Sequence, residues 1–171
     1  MNTPSAPPAR RRWLTRLLAL GAASTAVAST TSALAAPATA APLKPPLPGD
    51  DAPHKIVYQL NRAEPEYQEA IFNSISAMLK KYVDDVAITV VVWGPGIHLL
   101  AKKPQRPVPE LHQQRVKSMA QAYGVQFIAC GNTMHSVGWT AEDMLEIAQV
   151  EEVGAAAVME LQERGYAYLA W

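Results

Sequence analysis

The sequence predicts a three-layer α/β domain, a mostly parallel sheet of about five strands with helices on both faces. Three observations lead there. Short β-branched and aromatic runs alternate with segments whose apolar residues recur at three- and four-residue steps. The run Val86–Trp93 is almost continuously apolar, as a central strand covered on both faces must be. The strand runs also end on turn formers: Asn61, then Gly94-Pro95-Gly96, then Gly131-Asn132.

His54–Leu60 has strand length and composition, and Asn61-Arg62 ends it. From Pro65 the period changes. Tyr67, Ile71, Ile75, Met78, Leu79 and Tyr82 mark one face of a helix, with Pro65 in the first turn, where its missing N–H costs nothing. The strand Val86–Trp93 follows, Gly94-Pro95-Gly96 stops it, and Ile97–Lys103 is expected to form a short helix. Prolines 104, 107 and 109 make a loop. Leu111, Val116, Met119, Ala120 and Tyr123 then line a helix that Gly124 ends. Val125–Ala129 is the third strand, running into a turn at Cys130. Thr140-Ala141-Glu142-Asp143 has a capping pattern ahead of Met144, Leu145 and Ile147. A short strand near Gln149–Val153, a helix over Ala155–Arg164 capped by Gly165, and a last strand over Tyr166–Leu169 complete the domain, residues 54–171.

The first 35 residues read as an export signal. Arg10-Arg11-Arg12 precedes an aromatic residue and a leucine, a mildly apolar stretch runs from Leu17 to Val27, and Ser32-Ala33-Leu34-Ala35 offers a small-x-small cleavage site. The arginine pair points to the twin-arginine route and a bacterial periplasmic destination. A basic tail or an uncleaved anchor are the plainer alternatives, although the apolar stretch is short for a membrane span. Residues 36–53, rich in proline and alanine, form a linker without a core. The whole chain has 15 basic and 15 acidic residues. Losing Arg10, Arg11, Arg12 and Arg16 with the signal leaves the remainder mildly acidic and without a basic stripe. Nucleic-acid binding is therefore not expected.

The chain has one cysteine, Cys130. It cannot form an internal disulfide, so its sulfur is either inert filling or a reactive group. Its position where a strand ends is where open α/β sheets place their chemistry. The loops after the first three strands should emerge on one sheet edge, bringing Asn61, Gly94 and Gly96, and Cys130, Gly131 and Asn132 toward one another. Glycines let backbone approach a ligand, and a helix starting just past the cysteine would aim N–H groups at the sulfur and lower its pKa. Trp93 and Trp139 flank this region, as pocket wall or as core. The four histidines, His54, His98, His112 and His135, match no zinc spacing. A cysteine hydrolase would need His135 oriented by Glu142 or Asp143, which nothing in the spacing demands. A flavodoxin would need a Ser/Thr-rich phosphate loop where this chain has Asn61-Arg62-Ala63-Glu64-Pro65. No metal or organic cofactor is expected.

The order of a Gly-Pro-Gly turn after an apolar strand, Leu99-Leu100, the run Gly124-Val125-Gln126-Phe127-Ile128-Ala129-Cys130-Gly131-Asn132-Thr133, and Gly165-Tyr166-Ala167-Tyr168 resembles the DsrE/DsrF-like family. The resemblance implies a flavodoxin-like α/β sandwich that assembles as a homo-oligomer, often a trimer or hexamer. It also implies a sulfur-relay role in which Cys130, matching the carrier position, holds sulfane sulfur as a persulfide between a donor and an acceptor protein. The N–H groups of Gly131 and Asn132 would steady the anion. A non-catalytic oligomeric binding module is the alternative.

Overall fold

The computed structural model describes residues 51–171; the expected export signal and nearly all of the expected linker lie outside them. Five strands, β1 (His54–Leu60), β2 (Val86–Val92), β3 (Gln126–Cys130), β4 (Ala148–Glu151) and β5 (Ala167–Leu169), form one sheet. Its order is β4-β3-β2-β1-β5 and every pairing is parallel. The helices are α1 (Pro65–Tyr82), α2 (Glu110–Tyr123), α3 (Gly131–Ser136) and α4 (Gly154–Glu163). The three-layer expectation holds.

Side chains alternate across the sheet, so each strand feeds two cores. On one face Tyr58, Leu60, Val90, Val92 and Phe127 pack with Ile71, Phe72 and Ile75 of α1, Val116 and Met119 of α2, and Met134 of α3. On the other, Val57, Ala87, Val91 and Ile128 pack with Ala157, Val158 and Leu161 of α4. The first face is thick, the second thin.

Several local expectations change. Val86–Val92 stops one residue early, because Trp93 leaves the ladder. The third strand starts at Gln126 and takes in Cys130 as its last residue. The Gly-Pro-Gly turn does not precede a helix at Ile97–Lys103; it forms the first turn of a 3-10 helix, Gly94–Leu100. On α2 the buried face is His112, Val116 and Met119, while Leu111 and Tyr123 are exposed. Leu111 is one helical step off that face, and Tyr123 lies in the last turn. Thr140 and Asp143 do make a capping box, with the Thr140 N–H donating to Asp143 Oδ2 at 2.8 Å, but only one 3-10 turn follows. Leu145 N–H donates to the Leu100 carbonyl at 2.8 Å and Met144 bridges Ala101, so extended pairing outcompetes the helix there. The fourth strand is Ala148–Glu151, not Gln149–Val153, and the fourth helix starts at Gly154.

Among the described residues no helix is long and apolar enough to cross a membrane.

Candidate functional site

Strand order decides where the site lies. The connections that follow β1, β2 and β3 pack on the thick face, whereas α4, which follows β4, packs on the thin one. Neighbouring strands β3 and β4 thus send their chains to opposite faces at their C-terminal ends, the arrangement of a topological switch point in an open sheet. Cys130, the last residue of β3, sits there, paired in the ladder with Glu151.

The sulfur is held at the start of α4. Its first residue, Gly154, donates its N–H to Cys130 Sγ at 3.2 Å. The first four N–H groups of a helix have no partner within it, and Val153 supplies no side-chain cap, so the sulfur takes that role for Gly154. A β-carbon at Gly154 would lie 3.0 Å from Cys130 Cβ, 3.0 Å from Trp93 Cε3 and 3.3 Å from Cys130 Sγ. Only glycine lets the backbone come this close without displacing its neighbours. On the other side the Glu152 carbonyl lies 3.9 Å from the sulfur and accepts the Asn132 N–H at 2.9 Å. The start of α3 is thereby tied to the chain entering α4.

Cys130 is buried, at 7 % exposure. Burial pushes its pKa up. The N–H of Gly154, then the N–H and hydroxyl of Thr133, and last the N–H of Asn132 pull it down, and the balance lies below the ordinary cysteine value. The Thr133 hydroxyl oxygen also accepts the Gly94 N–H at 3.2 Å, which leaves its proton for the sulfur. A backbone amide of the β2 turn is thus linked through Thr133 to the thiol.

The other candidate residues divide. Gly94, with φ of +52°, closes the turn beside the Asn61 carbonyl, 3.4 Å from where its β-carbon would be. Asn61 turns inward: its Oδ1 accepts from the Tyr67 hydroxyl at 3.1 Å. Gly96 is a packing glycine, with a β-carbon position 2.7 Å from Leu60 Cδ2 and 2.8 Å from the Leu60 carbonyl oxygen. At Gly131 a β-carbon would lie 3.1 Å from Glu152 Cα, so this glycine serves the contact between the two chain segments. The Asn132 N–H is shared with the Glu152 carbonyl and is the weakest of the groups acting on the sulfur.

Gly154 and Thr133 are the neighbours that sequence reasoning missed. The signal for Gly154 was a glycine opening the fourth helical segment; its place opposite Cys130 depends on strand order. Trp93 packs against Gly154, while Trp139 is core, edge-on to His98 at 5.0 Å. His135 is exposed near the end of α3, and Asp143 is engaged with Thr140. His112 is buried between Gln68 (2.9 Å) and Glu69 (3.4 Å), away from the sheet edge. Among the described residues no three histidine, cysteine, aspartate or glutamate side chains gather as a metal site.

Residues 49–171 match the family model described as the DsrE/DsrF-like family. The chain belongs to that family. Its fold is shared with a protein of unknown function, MTH1491 from Methanobacterium thermoautotrophicum, at a TM-score of 0.61 and 20 % identity. It is shared also with the ychN protein of E. coli, at 0.57 and 12 %. Each alignment covers 69 % of this chain and 99 % of the other. No curated protein matches the sequence. DsrE family membership suggests a sulfur-relay type of protein.

Proposed function

We propose that this protein is an exported, periplasmic sulfur carrier of the DsrE family that holds sulfane sulfur on Cys130. The observation that carries the reading is the 3.2 Å hydrogen bond from the first N–H of α4 to Cys130 Sγ, at the sheet's switch point. A thiol in such surroundings holds more of its thiolate form, the nucleophile in sulfur transfer.

In the loading step the Cys130 thiolate attacks the outer sulfur of a donor persulfide. A sulfur–sulfur bond forms to Cys130 as the donor's breaks, and the donor leaves as a thiolate. Unloading is the reverse exchange with an acceptor thiolate, and no net oxidant is consumed. Gly154, Thr133 and Asn132 steady the anion, with Asn61, Gly94, Gly96 and Gly131 shaping the turns around it. The twin-arginine signal at residues 1–35 supplies the periplasmic part of the proposal. Assembly as a homo-oligomer belongs to it too, supported by the exposed Leu111, Tyr123, Met159 and Trp171.

The test is intact mass after incubation of the purified protein with polysulfide. The expected result is a gain of one sulfur atom, removed by a thiol reductant and absent in Cys130→Ala. A Cys130 that stays unmodified while a free thiol in the same solution is persulfidated would overturn the reading.

A further inference from the structure

His98 lies in the 3-10 helix Gly94–Leu100, only 4 % exposed, with its ring edge-on to Trp139. Its Nδ1 accepts the backbone N–H of Gln105 at 3.2 Å. An acceptor nitrogen must be unprotonated, so this bond exists only with the neutral ring.

The segment that His98 holds, residues 103–107, makes few other hydrogen bonds before Val108 packs on the core. At one end Lys102 is pinned by its N–H to the Asp143 carbonyl and its Nζ to the Glu142 carbonyl, each at 2.8 Å. At the other, the Pro109 carbonyl accepts the His112 N–H at 2.9 Å as α2 begins. Between these anchors, the hydrogen bonds among the described residues run through Gln105: its N–H to His98, and its side-chain amide to the Val137 carbonyl at 3.3 Å. Pro104 and Pro107 have no N–H to offer in replacement.

We propose that His98 is an acid-released latch: the neutral ring clasps residues 103–107 against the 94–100 helix and the chain just past α3, and protonation lets that segment swing free. Protonation places an N–H on Nδ1 facing the N–H of Gln105, turning an attraction into a repulsion. It also puts a charge into a site whose neighbours do not welcome it. The charge that acts on the ring is that of Arg106, a cation on the clasped segment, and the ring packed against it, Trp139, is neutral. Burial, with Arg106 second, holds the ring's pKa below the ordinary histidine value, so the latch stays shut at neutral pH. The latch does not depend on the sulfur-carrier reading.

The experiment is amide hydrogen exchange on the purified protein, read by NMR from about pH 7.5 down through the His98 ring's own titration, followed by its chemical shift, and expressed as protection relative to the unstructured chain. The Gln105 amide is expected to lose about tenfold in protection across the His98 titration while Val90 and Val91 keep theirs. In His98→Gln the loss is absent. In Arg106→Gln, which leaves the buried ring in place and serves if His98→Gln does not fold, the midpoint moves to higher pH. Gln105 protection that stays constant in the unmodified protein, a loss that persists in His98→Gln, or a midpoint unmoved in Arg106→Gln would overturn the latch.

Discussion

Two glycine-bearing turns leave adjacent strands at one edge of this sheet, and they serve different ends. The turn after β2, Gly94-Pro95-Gly96, is packed from within: Gly96 lies so close to Leu60 that a β-carbon would fall 2.7 Å from its side chain. The turn after β3, Cys130-Gly131-Asn132, meets the start of α4 coming from the opposite face, and the sulfur takes an N–H there. In sequence both are glycine-rich stops after an apolar run. Topology separates them. The β2 turn and its successor stay on one face of the sheet, whereas the chains leaving β3 and β4 diverge to opposite faces at the cysteine.

Substitutions should pull the two turns apart. The largest effect is expected of Gly96→Ala. Its added carbon meets Leu60 backbone as well as side chain, and overpacking of this kind costs about 1–3 kcal/mol. Denaturant unfolding should show that loss while the thiol's pKa changes little; a full-strength thiol effect without loss of stability would merge the two turns into one functional unit. Gly154→Ala should do the reverse, costing about 1 kcal/mol because its contacts at 3.0 Å can relax. Alkylation rates against pH should place its thiol pKa at least about one unit above that of the unmodified protein, as the N–H is pushed off the sulfur. Thr133→Val removes one donor from the sulfur and the acceptor of the Gly94 N–H. It is expected to raise the thiol pKa by about one unit, since a hydrogen bond to a charged group is worth about 1.5 kcal/mol.

Acid should act on the first turn rather than the second. Burial, then Arg106, holds His98 below the usual histidine range. Burial lowers His112 also, with Glu69 pulling the other way and Arg115 adding to the lowering. Both rings fold neutral, so the unfolded chain binds more protons as pH falls. The stability they contribute is whole above about pH 6.5 and is lost as pH drops toward their folded values. Thermal unfolding should show a melting temperature that falls over that range, less steeply in Arg106→Gln. An unchanged melting temperature would mean that neither ring is held neutral.

Much of this fold was legible because its signals are local. The bounds of β1 and α1 follow from a change in hydrophobic period and from Pro65 at the helix start. What could not be read depended on partners distant in the chain. Met144 and Leu145 carry a helical pattern, yet Leu100 and Ala101 draw them into extended pairing. Leu111 satisfies the helical spacing as well as His112 does, and it is Gln68 and Glu69 on α1 that make the histidine the buried one. The candidate site shows the same division. Cys130 at a strand end is visible in the sequence, whereas Gly154, 24 residues on, reaches the sulfur only because β4 lies beside β3.

The central claim is that Cys130 is an activated sulfur and not buried filling. Titrating the thiolate of the folded protein, by its ultraviolet absorbance and by alkylation rate against pH, tests this most directly. The account predicts a pKa below that of a free cysteine titrated under the same conditions. A value at or above the free cysteine's would show that burial outweighs the N–H and hydroxyl groups around the sulfur, and would contradict it.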